Sequence, residues 1–274
     1  MPGIRPYAIG ILSYLFISVG GANAQLPVVP PATFLLAGQS NMSGRGDMDA
    51  LTVEERVSDP RIRLLGNDDR WREAADPLDS AIGQVDVVSA DRLAAVGPGL
   101  FFAREFLGRT GRHVALVPCA KGGSAMKAWK PDSARKTLYG SCLSRARLSN
   151  ATVSGMLWYQ GETDARDSTE AHKWSGRFKA MIKAIRRDLR SPRLPIVFVA
   201  LADEPAQSAP AGPFPAWTAM QRAQHAFHLR CTAVVSSQGL SRNSDDLHLT
   251  TNAHRQLGPA LAAAMMRLLS QGCD

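Results

Sequence analysis

The chain has 274 residues, of which 45% are hydrophobic and 20% charged, and its formal net charge is +8 at pH 7. This composition is typical of a folded globular protein and excludes a disordered or low-complexity chain. The cations are scattered, and their densest group, residues 183–193, lies along a predicted amphipathic helix. We therefore expect no nucleic-acid partner, whereas attraction to an acidic polysaccharide is compatible with the charge.

The first 24 residues have the three parts of a secretory signal. Arg5 is the cation, residues 9–19 form an apolar run, and small residues end the segment at Ala22-Asn23-Ala24. The apolar run is shorter than the roughly 20 residues that span a bilayer as a helix. We expect cleavage after Ala24, a secreted or periplasmic location, and no membrane span in the mature chain.

All four cysteines lie in the part of the chain that is expected to be exported, where disulfides persist. Four cysteines allow three pairings. Our hypothesis joins those that are nearest in sequence, Cys119 with Cys142 and Cys231 with Cys273. Their irregular spacing is not that of a zinc site, so no metal is expected.

Five short apolar runs, rich in β-branched and aromatic residues, predict buried strands. They cover residues 33–37, 113–118, 153–159, 195–201 and 232–236. Amphipathic helices are predicted between most of them, one ending before Pro192 and one over residues 251–269. This alternation predicts a single domain over residues 25–274, a three-layer α/β/α sandwich around a parallel sheet. Ligands of such sheets bind beyond the carboxyl ends of the strands.

The first predicted strand is followed by Gly38-Gln39-Ser40-Asn41-Met42. A serine between a strand end and a helix start is well placed to be a nucleophile, because the turn exposes its hydroxyl. The alternative is a serine that only caps the helix. The segment lacks the second glycine of the Gly-x-Ser-x-Gly elbow, since Met42 stands there. The adhesion tripeptide Arg45-Gly46-Asp47 is interpreted as a chance match.

Near the carboxyl end, Asp245-Asp246-Leu247-His248 offers a base and a carboxylate to orient it. An aspartate three residues before a histidine can hold the imidazole in the required tautomer within one turn. We favour Asp245 over Asp246, because a residue adjacent to the histidine usually points elsewhere. The other five histidines lie within or beside predicted strands and helices and are interpreted as structural.

Two further strand ends offer hydrogen-bond donors for an oxyanion. Gly122, Gly123 and Ser124 follow the second strand, and a glycine there lets a backbone N–H approach a substrate oxygen closely. Gln160 follows the third strand and adds a side-chain amide. Nucleophile, orienting carboxylate, base and oxyanion donors are therefore expected at four separate strand ends.

These segments resemble the sequence blocks of the SGNH hydrolases, in the branch that holds sialate O-acetylesterase and the acetylxylan esterases of carbohydrate esterase family six. The resemblance implies a flavodoxin-like fold with a five-stranded parallel sheet and no cofactor. It implies Ser40 as nucleophile, His248 as base and Asp245 as its orienting partner. The oxyanion donors it implies are the Ser40 N–H, the Gly122 N–H and the Gln160 amide. Supporting roles fall to Gln39, Asn41, Gly123 and Glu162, the last bracing the loop.

The function expected from the resemblance is a serine esterase that removes O-acetyl groups from carbohydrate, with acetylxylan as the first substrate. The alternatives are a sialate O-acetylesterase, a peptidoglycan O-acetylesterase or another SGNH lipase or thioesterase, and a non-catalytic carbohydrate-binding protein. Lys121, Met126 and Lys127 are expected near the rim of the site and leave the substrate open. The sequence makes no prediction of the oligomeric state.

Overall fold

The computed structural model describes Met1, Gly3, and residues 30–210 and 212–271. Apart from Met1 and Gly3, the predicted signal segment lies outside the described residues. Cys273 lies outside them as well, so the predicted pairing of Cys231 with Cys273 falls beyond the description. Within the described ranges, no helix is long and apolar enough to cross a membrane.

Within the described part of the chain, seven strands form one sheet in the order β3-β2-β4-β1-β5-β6-β7. Their bounds are β1 Ala32–Gly38, β2 Ile62–Leu65, β3 Trp71–Glu73, β4 Val114–Pro118, β5 Val153–Tyr159, β6 Ile196–Ala200 and β7 Thr232–Ser236. Every neighbouring pair is parallel except β2 and β3, which pair antiparallel. The five predicted strands are all present and form the contiguous block β4-β1-β5-β6-β7.

The predicted strand count of five is wrong, because β2 and β3 extend the sheet at one edge. Neither carries the continuous apolar run by which the other strands were recognised. β2 has four residues and an exposed second position, and β3 has three residues, all exposed. β2 is held by backbone pairing with β4, and β3 by pairing with β2, and a hydrophobic pattern does not report such pairing.

Seven α-helices and three 3₁₀ segments accompany the sheet in the described residues. The helices are α1 Ser40–Ser43, α2 Val53–Arg56, α3 Pro98–Thr110, α4 Leu138–Leu148, α5 Ser168–Asp188, α6 Trp217–His225 and α7 Thr251–Ser270. The 3₁₀ segments are Val87–Ser89, Met126–Trp129 and Asp164–Arg166. The two amphipathic helices predicted from the sequence are α5 and α7. Asp167 caps α5 by accepting hydrogen bonds from two backbone N–H groups of its first turn.

Aromatic side chains pack on both faces of the sheet. On one face, Phe34 of β1 contacts Phe102 and Phe106 of α3, with ring centroids 4.9 Å apart in each pair. On the other face, Trp158 of β5 packs against Phe178 of α5 at 5.4 Å. Trp158 is paired with Ala37, three residues after Phe34, and alternation along a strand places Phe34 and Ala37 on opposite faces. Helices therefore cover the sheet from both sides.

The predicted disulfide between Cys119 and Cys142 is confirmed, with a Cα–Cα distance of 5.2 Å. It joins the residue that follows β4 to the middle of α4. Both cysteines are buried in the main hydrophobic core. The disulfide therefore anchors the start of the loop that carries Gly122 and Gly123.

Asp79 is a carboxyl group buried beneath the same loop, with 2% of its surface exposed. Its Oδ1 accepts a hydrogen bond from Asn67 Nδ2 at 2.7 Å. Burial raises the pKa of Asp79 to about 7, although the hydrogen bond from Asn67 opposes the rise. Native Asp79 therefore keeps its proton at pH values at which an unfolded aspartate has lost it.

We expect Asp79→Asn to make the free energy of unfolding depend less on pH. Between about pH 4 and pH 7 native Asp79 binds a proton that the unfolded chain does not, so its contribution to stability is full at low pH and is lost as pH rises. The variant should therefore exceed the wild type in stability at pH 8 and approach it at pH 5. Urea unfolding at both pH values measures this, and a stability difference that does not change with pH would contradict it.

Candidate active site

The turn that carries Ser40, the predicted nucleophile, depends on a glycine at the end of β1. Gly38 has φ +133°, and a Cβ at this position would lie 2.1 Å from the carbonyl oxygen of Tyr159 on the neighbouring strand β5. Gln39 then donates its backbone N–H to that same carbonyl at 2.7 Å. Only glycine allows this approach, and it places Ser40 at the start of α1, directly beyond the carboxyl end of the sheet.

Ser40, His248 and Asp245 form a hydrogen-bonded chain. Ser40 Oγ lies 2.9 Å from His248 Nε2, and His248 Nδ1 lies 2.5 Å from Asp245 Oδ2. Burial favours a higher pKa for Asp245, but hydrogen bonds from the backbone and ring of His248 outweigh it and lower the pKa. An ionised Asp245 accepts a hydrogen bond from the Nδ1–H group, which keeps the proton of the neutral imidazole on Nδ1 and leaves Nε2 free to accept the proton of Ser40.

Asp246, the alternative partner of His248, points away from the imidazole. Its backbone is left-handed, with φ +57°. Its Oδ2 accepts the backbone N–H of Ala206 at 2.7 Å, and its Oδ1 pairs with Arg242 at 3.0 Å. Asp246 therefore binds the loop that carries His248 to Ala206 and Arg242, while Asp245 is the carboxylate that reaches the imidazole ring.

The remaining histidines lie away from the cavity that Ser40 opens into. All six histidines are within the described residues, and His248 is the one that lines this cavity. His254, in the first turn of α7, is fully buried, and burial lowers its pKa to about 3. His254 is thus a neutral part of the core, and the other four are exposed on the surface: His113, His172, His225 and His228.

Asn41, the residue after Ser40, connects the Ser40 turn to the loop that carries His248. Its Oδ1 accepts the backbone N–H of Leu249 at 2.9 Å, and its Nδ2 donates to Glu162 Oε1 at 2.8 Å. The same Nδ2 lies 3.4 Å from the carbonyl oxygen of Leu247. Asn41 thereby holds the backbone on both sides of His248. Glu162 holds Asn41, and burial raises the pKa of Glu162 to about 7.

Gln39 contributes to the same brace through its side chain. Its Oε1 lies 3.4 Å from the backbone N–H of Gly161 and 3.3 Å from that of Thr163. Gln39 and Glu162 both line the cavity and have 2% of their surface exposed. The loop after β5 is therefore fixed to the nucleophile turn by two side chains.

Gln160 does not reach the nucleophile, and its predicted role as an oxyanion donor is corrected. Its side chain is fully buried and does not line the cavity. Its Nε2 donates to Ser124 O at 3.1 Å and to a carboxylate oxygen of Asp164, and its Oε1 accepts the indole N–H of Trp174 at 2.9 Å. Both amide hydrogens are used inside the core, where they join the ends of β4 and β5.

The glycine loop after β4 offers a different N–H from the predicted one. The backbone N–H of Gly122 donates to Asp91 Oδ2 at 2.9 Å. Among the described residues, the N–H groups of Ser40 and Gly123 have no hydrogen-bond acceptor. Gly123 has φ +72° and lines the cavity together with Ser40. The N–H groups of Ser40 and Gly123 therefore both remain available at the cavity wall.

A cavity of about 750 Å³ opens above Ser40. Four cations line it, and they outnumber the acidic residues of its wall, which are Asp91 and Glu162. The four are Arg45, Arg92, Lys121 and Arg166. Positive charge in a partly enclosed cleft favours anionic ligands.

Two of the three residues expected near the rim lie elsewhere. Lys121 lines the cavity and donates to the carbonyl oxygen of Ala90 at 2.6 Å. Lys127 is not part of the cavity wall and lies 3.7 Å from Glu170 as an exposed ion pair. Met126 has 1% of its surface exposed and belongs to the core.

Sequence reasoning missed Arg45 and Asp91, which form a partly buried ion pair at 2.8 Å beside the turn that carries Ser40. Arg45 stood in a tripeptide that was interpreted as a chance match. Asp91 lies in an irregular segment between the 3₁₀ segment Val87–Ser89 and α3, with no apolar periodicity or motif around it. Neither residue carried a signal in the sequence that pointed to the other.

A Ser-His-Asp chain beyond the carboxyl end of a parallel sheet is the arrangement of serine hydrolases. A family model described as "carbohydrate esterase, sialic acid-specific acetylesterase" matches residues 30–267. The chain belongs to this family. It is 35% identical over 259 residues to a probable carbohydrate esterase of Arabidopsis thaliana, and the match covers 88% of this chain and 93% of the relative.

Solved structures agree with this assignment. The crystal structure of an Arabidopsis thaliana protein superposes with a TM-score of 0.73 at 35% identity, covering 87% of this chain and 99% of the other. A carbohydrate acetylesterase from Xanthomonas citri gives a TM-score of 0.66 at 25% identity, covering 88% of this chain and 56% of the other. The structure of NanS gives 0.65 at 19% identity over 89% and 100% of the two chains, a likeness of fold alone.

Proposed function

We propose that this protein is a serine esterase of the SGNH type that removes O-acetyl groups from carbohydrate. The observation that carries the proposal is the chain from Ser40 Oγ through His248 to Asp245, with distances of 2.9 and 2.5 Å, at the floor of an open cavity. Membership of a carbohydrate esterase family supports the class of substrate. The flavodoxin-like sandwich implied by the sequence blocks is consistent with a mostly parallel sheet covered by helices.

The proposed reaction has two steps. His248 Nε2 accepts the proton of Ser40 as its oxygen attacks the acetyl carbonyl carbon, and His248 then donates that proton to the departing sugar oxygen. The acetyl group remains on Ser40 as an ester. A water molecule, deprotonated by His248, then attacks this ester, and His248 returns the proton to Ser40 Oγ as the bond to the acetyl group breaks and acetate leaves. Asp245 keeps the imidazole in position and stabilises its charged form in both steps.

The oxyanion of each tetrahedral intermediate would be held by the N–H groups of Ser40 and Gly123. This proposal replaces Gly122 and Gln160, whose N–H groups already have acceptors. Donors of this kind act where charge develops, and one of them can contribute a factor of about 10²–10³ to kcat. The positive φ of Gly123 is reached by glycine at little cost, which supports a loop shaped around a substrate oxygen.

O-acetylated sialic acid is favoured as a substrate over neutral acetylxylan by one observation, the excess of cations in the cavity wall. Sialic acid carries a carboxylate, whereas a xylan backbone does not. Arg45 is paired with Asp91, and the cations proposed to meet a substrate carboxylate are Arg92 and Lys121. The fourth cation of the wall, Arg166, lies over the ring of Phe214, 4.4 Å from its centroid.

We also propose that the enzyme is exported to the periplasm or the medium. The disulfide between Cys119 and Cys142 supports this location, since disulfides persist in oxidising compartments.

Acetate release from three acetylated carbohydrate substrates tests the proposed function. The mature protein is incubated with an O-acetylated sialoside, acetylated xylan and O-acetylated peptidoglycan, each beside the Ser40→Ala variant as a blank. We expect release from the sialoside that the variant does not show, and a weaker reaction with xylan. Hydrolysis of long-chain aryl esters with no release from any glycan would contradict the proposal and indicate a lipase, and binding without turnover would indicate a non-catalytic protein.

A further inference from the structure

The carboxylate of Asp91 joins the two loops that flank the nucleophile. It is buried, with 4% of its surface exposed. Its Oδ2 accepts the hydroxyl of Ser43 at 2.7 Å and the backbone N–H of Gly122 at 2.9 Å. Ser43 lies in the same four-residue helix as Ser40, and Gly122 directly precedes Gly123. One carboxylate therefore connects the helix of the nucleophile to the loop of the glycine donor.

Arg45 keeps this carboxylate charged and in place. Its Nη2 donates to both oxygens of Asp91, at 2.8 and 3.0 Å, and its Nη1 donates to Ser43 Oγ at 3.1 Å. Burial favours a higher pKa for Asp91, but the hydrogen bonds from Arg45 and Ser43 outweigh it, and the pKa is lowered. Charge-assisted hydrogen bonds of this kind are stronger and more directional than neutral ones.

The requirement for glycine at position 122 comes from the same contact. A Cβ there would lie 2.4 Å from Arg45 Nη2 and 2.6 Å from Asp91 Oδ2. A side chain at position 122 would therefore force the Arg45 guanidinium and the Asp91 carboxylate to move. The close approach at Gly122 is thus made by the Arg45–Asp91 pair, and the N–H that remains available for an oxyanion belongs to the next residue.

We propose that Asp91, held by Arg45, is a positioning residue that sets the Gly123 N–H against the Ser40 N–H, so that both meet the oxyanion. The proposal rests on the proposed esterase function. Oxyanion donors act at about 2.7–3.1 Å from the developing charge, so a loop displaced by a few tenths of an ångström loses much of their effect. In the described part of the chain, Asp91 makes no hydrogen bond or ion pair with His248 or Asp245, so its effect is expected on the oxyanion side of the reaction.

The test compares Asp91→Asn with the wild type on an aryl acetate. Asparagine keeps the shape of the side chain but removes the charge that Arg45 and Gly122 bind. We expect kcat to fall by about 10- to 100-fold, part of the loss that follows removal of one oxyanion donor, with KM nearly unchanged. The affinity for an arylboronic acid, which forms a tetrahedral adduct on the serine, should fall by a similar factor. The acid side of the pH profile of kcat/KM should not move.

Asp86→Asn is the matched control. Asp86 lies five residues earlier in the same segment, is also buried, and accepts hydrogen bonds from Arg135 Nε at 2.6 Å and Ser141 Oγ at 2.8 Å. Its loss should lower the melting temperature and leave kcat per folded molecule unchanged. Arg45→Lys is the second variant, in case Asp91→Asn does not fold. It should lose kcat because lysine cannot donate from a fork as arginine does, but the loss should be smaller than in Asp91→Asn because lysine keeps the positive charge.

The outcomes separate this inference from the proposed function. If Ser40→Ala is inactive while folded Asp91→Asn or Arg45→Lys has the kcat and boronate affinity of the wild type, the positioning role is wrong. An equal loss of kcat in Asp86→Asn would also contradict the positioning role, because the loss would then follow from a general loosening of the segment that holds Asp86 and Asp91. If Ser40→Ala keeps its activity, the failure lies in the proposed function instead.

Discussion

Replacement of Ser40 by alanine is expected to lower kcat for acetyl ester hydrolysis by about 10⁴-fold or more, the size of effect seen when a triad nucleophile is removed. The reason is geometric. Ser40 Oγ is the oxygen that faces His248 Nε2 at 2.9 Å, and no acetyl-enzyme can form without it. The remaining activity should be that of binding and oxyanion stabilisation alone.

The fold of Ser40→Ala should be retained, because the turn is set by Gly38 and by backbone hydrogen bonds rather than by the serine hydroxyl. Steady-state hydrolysis of an aryl acetate gives kcat, and circular dichroism with a thermal melt checks the fold. Ser270→Ala, at the exposed end of α7, controls for handling of the variants. A folded Ser40→Ala protein with wild-type turnover would refute the nucleophile assignment.

The second large effect is expected from Asp245→Asn, measured beside Asp246→Asn. Asparagine at position 245 can donate to His248 Nδ1, which would then lose its proton and leave Nε2 unable to act as a base. In a well-studied serine protease, the corresponding substitution lowers kcat by about 10⁴-fold. We expect a loss of about 10³- to 10⁴-fold here, in kcat and kcat/KM alike.

Asp246→Asn is the matched control, because it makes the same chemical change one residue away. Asp246 faces Ala206 and Arg242, so its substitution should disturb the loop and change kcat by no more than about threefold, within the usual effect of an exposed ion pair. Equal losses in the two variants, or a larger loss in Asp246→Asn, would show that the orienting carboxylate has been assigned to the wrong residue.

The fold could be predicted as far as hydrophobic patterning reaches. The parallel block β4-β1-β5-β6-β7 is built from strands with continuous apolar runs, and α5 and α7 carry clear amphipathic stripes. The strands β2 and β3 were missed because their burial alternates or is absent, and they are held by pairing with a neighbour. Backbone pairing between strands that are far apart in the sequence produces no repeating hydrophobic pattern by which the strands could be recognised.

The sequence allowed the prediction of site residues whose side-chain chemistry is distinctive and which lie in a short segment with other residues of the site. Ser40, Asp245 and His248 meet because each lies in a short polar segment that the fold brings to one edge of the sheet. The choice between Gly122 and Gly123 was different. It depends on Asp91, which is 31 residues away and takes one N–H out of use. Gln160 was assigned by its place after a strand, but its amide turns into the core to meet Trp174.

The measurement that tests the central claim most directly is covalent labelling with an active-site-directed fluorophosphonate, followed by peptide mass mapping. The serine esterase mechanism predicts one equivalent of label on Ser40, no label in Ser40→Ala, and much slower labelling in His248→Ala. Loss of esterase activity should follow the extent of labelling. Stoichiometric label on a different residue, or full activity in protein labelled at Ser40, would contradict the account.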